Sequence, residues 1–527
     1  MNRKWLSRIL FVAALTVLLL PQTSRAIPAF SRQYGTSCTT CHLDFPKLND
    51  FGKAFKDAGF KFPKDDESFL KAPPILLGAP AQAELFPHTV YPGTIPGLPP
   101  IGLRYNQFYQ QVGSSRNNFN QVLPAGTIGT FVPKSDFQPG LFSIFTAGNF
   151  GTGISFWVDD DISVAGANAN GALGDAYLKF HDVSRFLKMP TDSVNLRFGQ
   201  FELDIPFSQA RSWNLSGWDL FGEANIGVQN GIGRPEFVNN GASISSAAHG
   251  LEISGGHSYQ GYHYSLAVMN QNTSGAAPTA PTVKPGNGVA FSSDSNYKDI
   301  YGRFIYRFNL EKNPESRNGV QAAGASGPRD HTFLALGTFG FYGRSVQTVS
   351  GVLADGVTPV VLTAREPFYR IGGDVNFNYR TFNLFGVYMA AHDHNLVPES
   401  TVESGAITGF KPEAAVTFSG SFLEADYLAL PWAMSIVRWD QVKSTADRVN
   451  FLMYDPTAPP SSSFFSPYRA TRNRFTLGEQ FLIHANIKAS VEYQIQPQQI
   501  VYNPSTGAAI GNPFRTNVLV TGLEFVY

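Results

Sequence analysis

Tyr369-Arg370-Ile371-Gly372-Gly373-Asp374-Val375-Asn376-Phe377-Asn378-Tyr379-Arg380 alternates with a period of two. Tyr369, Ile371, Gly373, Val375, Phe377 and Tyr379 fall on one side, and Arg370, Asp374, Asn376, Asn378 and Arg380 on the other. Successive side chains of a strand point to opposite faces, so this strand has one apolar, aromatic face and one ionisable face. The ionisable face is too polar for a sandwich core. It suits a wet lumen, with the apolar face turned to lipid.

The same pattern repeats elsewhere. Ile487, Ala489, Val491, Tyr493 and Ile495 oppose Lys488, Ser490, Glu492 and Gln494, and Leu423, Ala425 and Tyr427 oppose Glu424 and Asp426. The C-terminal stretch 514–527 places Leu519, Thr521, Leu523, Phe525 and Tyr527 together, against Gly522 and Glu524. It ends on an aromatic residue, which resembles the assembly signal of bacterial outer-membrane barrels.

Composition agrees. The 527 residues include 44 Phe, 21 Tyr and 50 Gly but only 15% charged residues, well below the roughly 25% usual in soluble domains. Beyond residue 26 no apolar run is long enough for a membrane helix. The 40 basic residues balance the 40 acidic ones, so no global field recruits nucleic acid, and none is expected as a partner.

Strand starts are expected near residues 101, 140, 153, 172, 193, 246, 262, 297, 330, 367, 381, 414, 432, 470, 487 and 514, about sixteen in all, an even number as for bacterial single-chain barrels. Long connections (113–139, 203–245, 271–296, 344–366, 392–413, 443–469, 497–513) mostly alternate with short ones near 150, 260, 380, 430 and 485. The long stretch 310–329 falls where a turn is expected. Long loops face outward and short turns face the periplasm, which puts both chain ends on the periplasmic side.

The N-terminal part reads differently. Arg3, Lys4 and Arg8, the apolar run Ile9–Leu20 and Ser24-Arg25-Ala26 have the form of a signal peptide over residues 1–26, cleaved after Ala26. Cys38-Thr39-Thr40-Cys41-His42 follows, and it contains the only two cysteines of the chain. C-x-x-C-H is the c-type haem attachment motif: two thiols form thioethers and the adjacent histidine ligates iron. A disulfide would leave His42 unexplained. A zinc clip needs further close ligands, and the next histidine is His88. Residues 27–72 thus form a small helical monohaem segment, with Leu48, Phe51 and Phe55 near helical spacing and Lys47, Lys53 and Lys56 beside them. A Pro-rich linker, 73–100, joins it to the barrel, 101–527. The segment is too short for a core of its own and is expected to lean on haem and a neighbour.

One covalent haem c is expected, held by Cys38, Cys41 and, as proximal ligand, His42. For the distal ligand, His88 is the histidine at hand, the alternatives being an exposed loop residue there, a lumen-facing side chain or an open site. No methionine lies between the cleavage site and the first strand; the first after Met1 is Met189. His392 and His394, flanking Asp393 at the outer end of a strand, suit Fe(II) capture, or belong to a polar loop. Asp159-Asp160-Asp161 either draws cations to a mouth or is a set of solvated carboxylates.

The stretch 27–60, with Phe30-Ser31-Arg32-Gln33-Tyr34-Gly35 before the motif and Pro46, Leu48, Phe51 and Gly52 after it, resembles the front of fused monohaem cytochrome–porins. That family includes iron oxidases of the bacterial outer membrane. The resemblance implies an electron conduit: an extracellular donor, Fe(II) above all, reduces the haem, and a periplasmic c-type cytochrome or other soluble carrier accepts the electron, an Fe(II):cytochrome c type of oxidoreduction. The same architecture suits another donor or an extracellular acceptor. A different class, a diffusion porin with a haem-bearing plug or redox sensor, competes with both.

Overall fold

The computed structural model describes residues 29–44, 47–62, 66, 75–76, 79–88, 94–95, 101–113, 134–138, 141–150, 153–163, 171–208, 215–218, 220–221, 244, 247–270, 297–310, 332–352, 357–400, 407–444, 472–484, 486–495, 500–502, 509–511 and 517–527. The signal-peptide stretch, most of the Pro-rich linker and the stretch 311–331 lie outside them.

Sixteen staves close an antiparallel barrel. They are β1 (Ile101–Val112), β2 (Ser135–Gln138 with Leu141–Asn149), β3 (Ile154–Ser163), β4 (Gly171–Phe180), β5 (Asn195–Phe201), β6 (Ala248–His257), β7 (Gln260–Asn270) and β8 (Lys298–Asn309). The circuit continues with β9 (Phe333–Val352), β10 (Pro359–Tyr379), β11 (Phe382–Ser400), β12 (Ile407–Leu430), β13 (Ala433–Ser444), β14 (Arg472–His484), β15 (Ile487–Ile495) and β16 (Val518–Val526). The two pieces of β2 pair with the upper and lower parts of β1 and count as one stave. Val526 opposite Arg104 closes the ring, so every central strand is paired and no edge is left to lipid.

Side-chain direction follows the alternation. Ile371, Leu423, Leu523, Tyr388 and Tyr427 are exposed on the outside, while Arg370, Asp374, Glu424, Asp426, Lys488 and Glu492 are buried inside. Tight turns at 258–259, 380–381 and 431–432 share one end of the barrel with Ile101 and Tyr527, whose strands are tied by the Leu103–Tyr527 backbone pair.

Three expectations need correction. First, 344–352, 359–366, 392–400 and 407–413 are strand, not loop. β9 pairs with β10 as far as Val352 opposite Pro359, and β11 with β12 as far as Ser400 opposite Ile407. Runs such as Val346-Gln347-Thr348-Val349 carry the β-branched residues that keep a ladder going. Second, Asp159-Asp160-Asp161 lies inside β3 rather than in a loop. Third, the lumen is not polar throughout. Phe339, Phe341, Phe368, Phe385, Phe418 and Phe422 line one sector and form a buried cluster with Leu203, Ile205, Trp218, Leu220 and Phe221. Those last five belong to the connection expected outside, 203–245. They are apolar and lie outside every described strand, and the aromatic sector of the lumen is where they escape water.

This inward segment crosses to the far wall and is gripped there. The Leu215 and Ser216 amides donate to Glu492 (2.6 and 3.1 Å), and Trp218 Nε1 donates to Glu424 (2.8 Å). Arg438 donates to the Ser216 carbonyl (3.0 Å) and Arg474 to that of Gly217, while both arginines also bond Asp440.

Candidate functional site

Residues 29–62 form a plug at the short-turn end of the lumen. Helix α1 (Ala29–Tyr34) precedes a 3-10 turn at Cys38–Thr40, a short ladder pairs His42–Asp44 with Lys47–Leu48, and helix α2 (Asp50–Asp57) follows. Asn49 organises this fold. Its side-chain oxygen accepts from the Gly52 amide (2.8 Å), which caps α2; its Nδ2 donates to the Thr40 carbonyl (3.0 Å) and its amide to the Cys41 carbonyl (2.9 Å). A Cβ at Gly52 would overlap the Cys41 carbonyl oxygen, so only glycine lets α2 lie against the cysteine turn.

The aromatic residues Phe30, Tyr34, Phe55, Phe60 and Phe62 pack together, with ring centroids 4.3–6.1 Å apart, and Phe60 reaches Trp157 of β3 at 5.7 Å. The segment does lean on a neighbour, the barrel wall. Arg307 of β8 makes two hydrogen bonds to Asp50 (2.6 and 2.7 Å), Lys47 meets Asp426 of β12 (3.4 Å) and Asn383 of β11 (3.1 Å), and Asp57 accepts from the Ser258 amide and hydroxyl (3.1 and 2.9 Å).

Between plug and wall lies a cavity of about 390 Å³. Cys38, Cys41 and His42 all line it, together with Phe55 and Phe60 from the plug and Arg104, Ser143, Phe145 and Trp157 from the barrel. The volume lies within the usual range for small-molecule and cofactor sites. Both cysteines are free thiols, Cys38 buried and Cys41 half-buried. Burial pushes the Cys41 thiol up to about 12, with the neighbouring Cys38 adding to the shift. Burial likewise raises Cys38, against the Ser31 hydroxyl that donates to its sulfur at 3.8 Å. Two thiols and an adjacent imidazole, facing a cavity with aromatic residues on both the plug and the wall, fit a covalently held haem.

The remaining candidates are not brought there. His88 sits exposed on the turn after helix α3 (Pro80–Leu85), away from the cavity lining. No histidine other than His42 and no methionine lines the cavity among the described residues. His181 packs under Gly59 and bonds Ser155 Oγ (2.7 Å), and Met189 is exposed.

His392 and His394 share the outward face of β11, their rings 5.3 Å apart, with His392 stacked on Tyr369. Asp393 points into the lumen and pairs with Arg370, so the pleat separates the carboxylate from the two imidazoles. Among the described residues no group of three or more His, Cys, Asp and Glu side chains is arranged for a metal ion.

Sequence reading missed the residues that dock the plug. Asn49 carried a signal, a capping residue just before a helical run. Arg307, Ser258 and Trp157 carried none, because their partners Asp50, Asp57 and Phe60 lie 257, 201 and 97 positions away.

No family profile and no curated protein matches the chain. Three solved structures with which it aligns are proteins of the outer membrane or porins. OprB of Pseudomonas putida aligns at 11% identity and a TM-score of 0.43, over 81% of this chain and 94% of that one. An anion-selective porin from Comamonas acidovorans aligns at 11% and 0.42, over 81% and 98%. OmpT of Vibrio cholerae aligns at 7% and 0.40, over 81% and 98%. The class stated here, a closed sixteen-stave barrel with an apolar exterior, rests on the chain's own strand pairing.

Proposed function

We propose that this chain is an outer-membrane electron conduit, with a haem c attached to Cys38 and Cys41, ligated by His42, and seated between plug and barrel wall. The observation that carries the reading is the shared cavity: the thiols and imidazole of the motif face barrel side chains across about 390 Å³. The haem supplies one-electron chemistry when bound. The chain supplies the rest. Its barrel crosses an apolar band of about 25 Å, its plug fixes the motif at the periplasmic end, and its aromatic residues keep water off the site. An extracellular donor, with Fe(II) favoured by the family resemblance, and a soluble periplasmic carrier such as a c-type cytochrome are the partners of this reading.

A second reading has its own support. The barrel alone suits a diffusion porin whose plug bears the haem, and a lumenal cavity of about 410 Å³ beside the plug, edged by Lys53, Lys179, Arg197 and Arg380, suits solutes. Against free diffusion stand the described residues of 202–221, which pack on the aromatic sector of the lumen and bond Glu492 and Glu424.

Pyridine haemochrome assay should give one haem per chain, lost in Cys38→Ser with Cys41→Ser. In proteoliposomes of defined orientation, impermeant reductant or Fe(II) on the loop side should reduce it while ion conductance stays low. Reduction only from the short-turn side, with high conductance, would select the porin reading.

A further inference from the structure

We propose, resting on the haem reading above, that the barrel wall holds the haem's propionate carboxylates through Arg104, Ser143 and Trp157, so that plug and barrel share one cofactor. Two hydrogen-bond donors on the wall are buried with no partner among the described residues, Ser143 Oγ on β2 and Trp157 Nε1 on β3. Both line the cavity that Cys38, Cys41 and His42 face. Ser143 is 4% exposed, and a buried donor left unpaired carries its full desolvation penalty. An acceptor entering the cavity removes that penalty at both positions.

Arg104 of β1 lines the same wall, fixed by Glu524, which also bonds Lys488 (3.1 Å). It adds a planar guanidinium suited to carboxylates. Lys56 faces the cavity from the plug.

Four carboxylates share the cavity, Asp159, Asp161, Asp175 and Glu202. Three of them accept hydrogen bonds from the wall. Asp159 accepts from the Asp175 amide (2.5 Å), Asp175 from the Glu202 amide (2.6 Å), and Glu202 from the Ser208 hydroxyl (2.6 and 2.8 Å). Asp161 lies across the ladder from Ser143 and Asp159 two positions from Trp157, so it is Arg104, opposite Ser143 on β1, and Lys56 on the plug that draw an anionic group in against these carboxylates. The motif fixes only the thioether edge and the iron; a second anchor on the barrel fixes the orientation of the ring between them.

The test uses the full-length holoprotein in detergent, comparing wild type with Trp157→Phe, Ser143→Ala and the double variant, and with Ile144→Ala on the outward face as a control. Trp157→Phe keeps a ring against Phe60 and Phe145 while removing the N–H. Haem content by pyridine haemochrome should be unchanged in all, because the thioethers remain. Soret circular dichroism should change in the three lumenal variants. The inflection in midpoint potential against pH should move to higher pH in them, since a carboxylate losing a donor to its charged form titrates higher. Ile144→Ala should match wild type. Wild-type dichroism and an unmoved inflection in all three lumenal variants, with haem present, would overturn the shared site alone. Absence of haem from the wild-type chain would overturn the electron-carrying reading itself.

Discussion

Arg307 on the barrel wall and Asp50 at the first turn of α2 are 257 positions apart, yet they meet through two parallel hydrogen bonds of 2.6 and 2.7 Å. Arg307 also lies over the Phe333 ring, 3.7 Å from its centroid. A planar guanidinium held on both faces of its function in this way is not replaced by lysine.

Arg307→Lys and Asp50→Asn are therefore expected to loosen the plug while leaving the barrel intact. Charge-assisted hydrogen bonds contribute on the order of 1.5–3 kcal/mol. Limited proteolysis of residues 29–62, with heat-modifiable mobility as the check on the barrel, should show faster plug cleavage. Cleavage at the wild-type rate would mean that other contacts hold the plug.

Gly52→Ala should damage the cysteine turn more than its small size suggests, because the added methyl meets the Cys41 carbonyl oxygen. Asn49→Ala should cost about 1 kcal/mol as a lost helix cap and also frees the Thr40 carbonyl. Both variants are expected to lower the fraction of chains carrying covalent haem, read by haemochrome against protein. Full haem content in Gly52→Ala would show that the turn and α2 move apart without consequence.

Acid should weaken the plug seat at His181. Burial, followed by the charge of Lys179, depresses its imidazole to about 4; Lys61 acts in the same direction and Asp57 opposes both. The unfolded value is about 6.5, so the unfolded chain binds the proton first. The stability contributed by neutral His181 is complete above about pH 6.5 and is lost as pH falls towards about 4. Hydrogen exchange in residues 50–60, corrected for intrinsic rates, should rise across that window in wild type and stay flatter in His181→Gln. Identical profiles would remove His181 from the account.

The inward residues 215–218 should control conductance. Glu492→Gln weakens the acceptor of the Leu215 and Ser216 amides, and Trp218→Phe leaves buried Glu424 without its indole donor. Each is expected to raise single-channel conductance in planar bilayers, and the pair more than either. Unchanged conductance would mean that the plug alone closes the lumen.

Alternation alone determined the barrel. Where the lumen is polar, a strand between lipid and lumen alternates in polarity, and that local rule placed Ile371 outside and Arg370 inside and put strand starts at 101 and 487 where they occur. The C-x-x-C-H motif is five adjacent residues and is visible in the sequence without any fold; the haem chemistry it suggests belongs to the proposal. Tertiary structure alone decided the rest. The stretch 202–221 has no period to show which side of the wall it takes; the place of its described residues depends on an aromatic lumen sector and on Glu492, Arg438 and Arg474 across the barrel. His392, Asp393 and His394 read as a trio in sequence, but the pleat sends the carboxylate to Arg370 and the imidazoles outward. The cavity opposite Cys38 and Cys41 owes its far wall to Arg104, Ser143 and Trp157, which reach it only because closure of the ring brings β1, β2 and β3 beneath the plug.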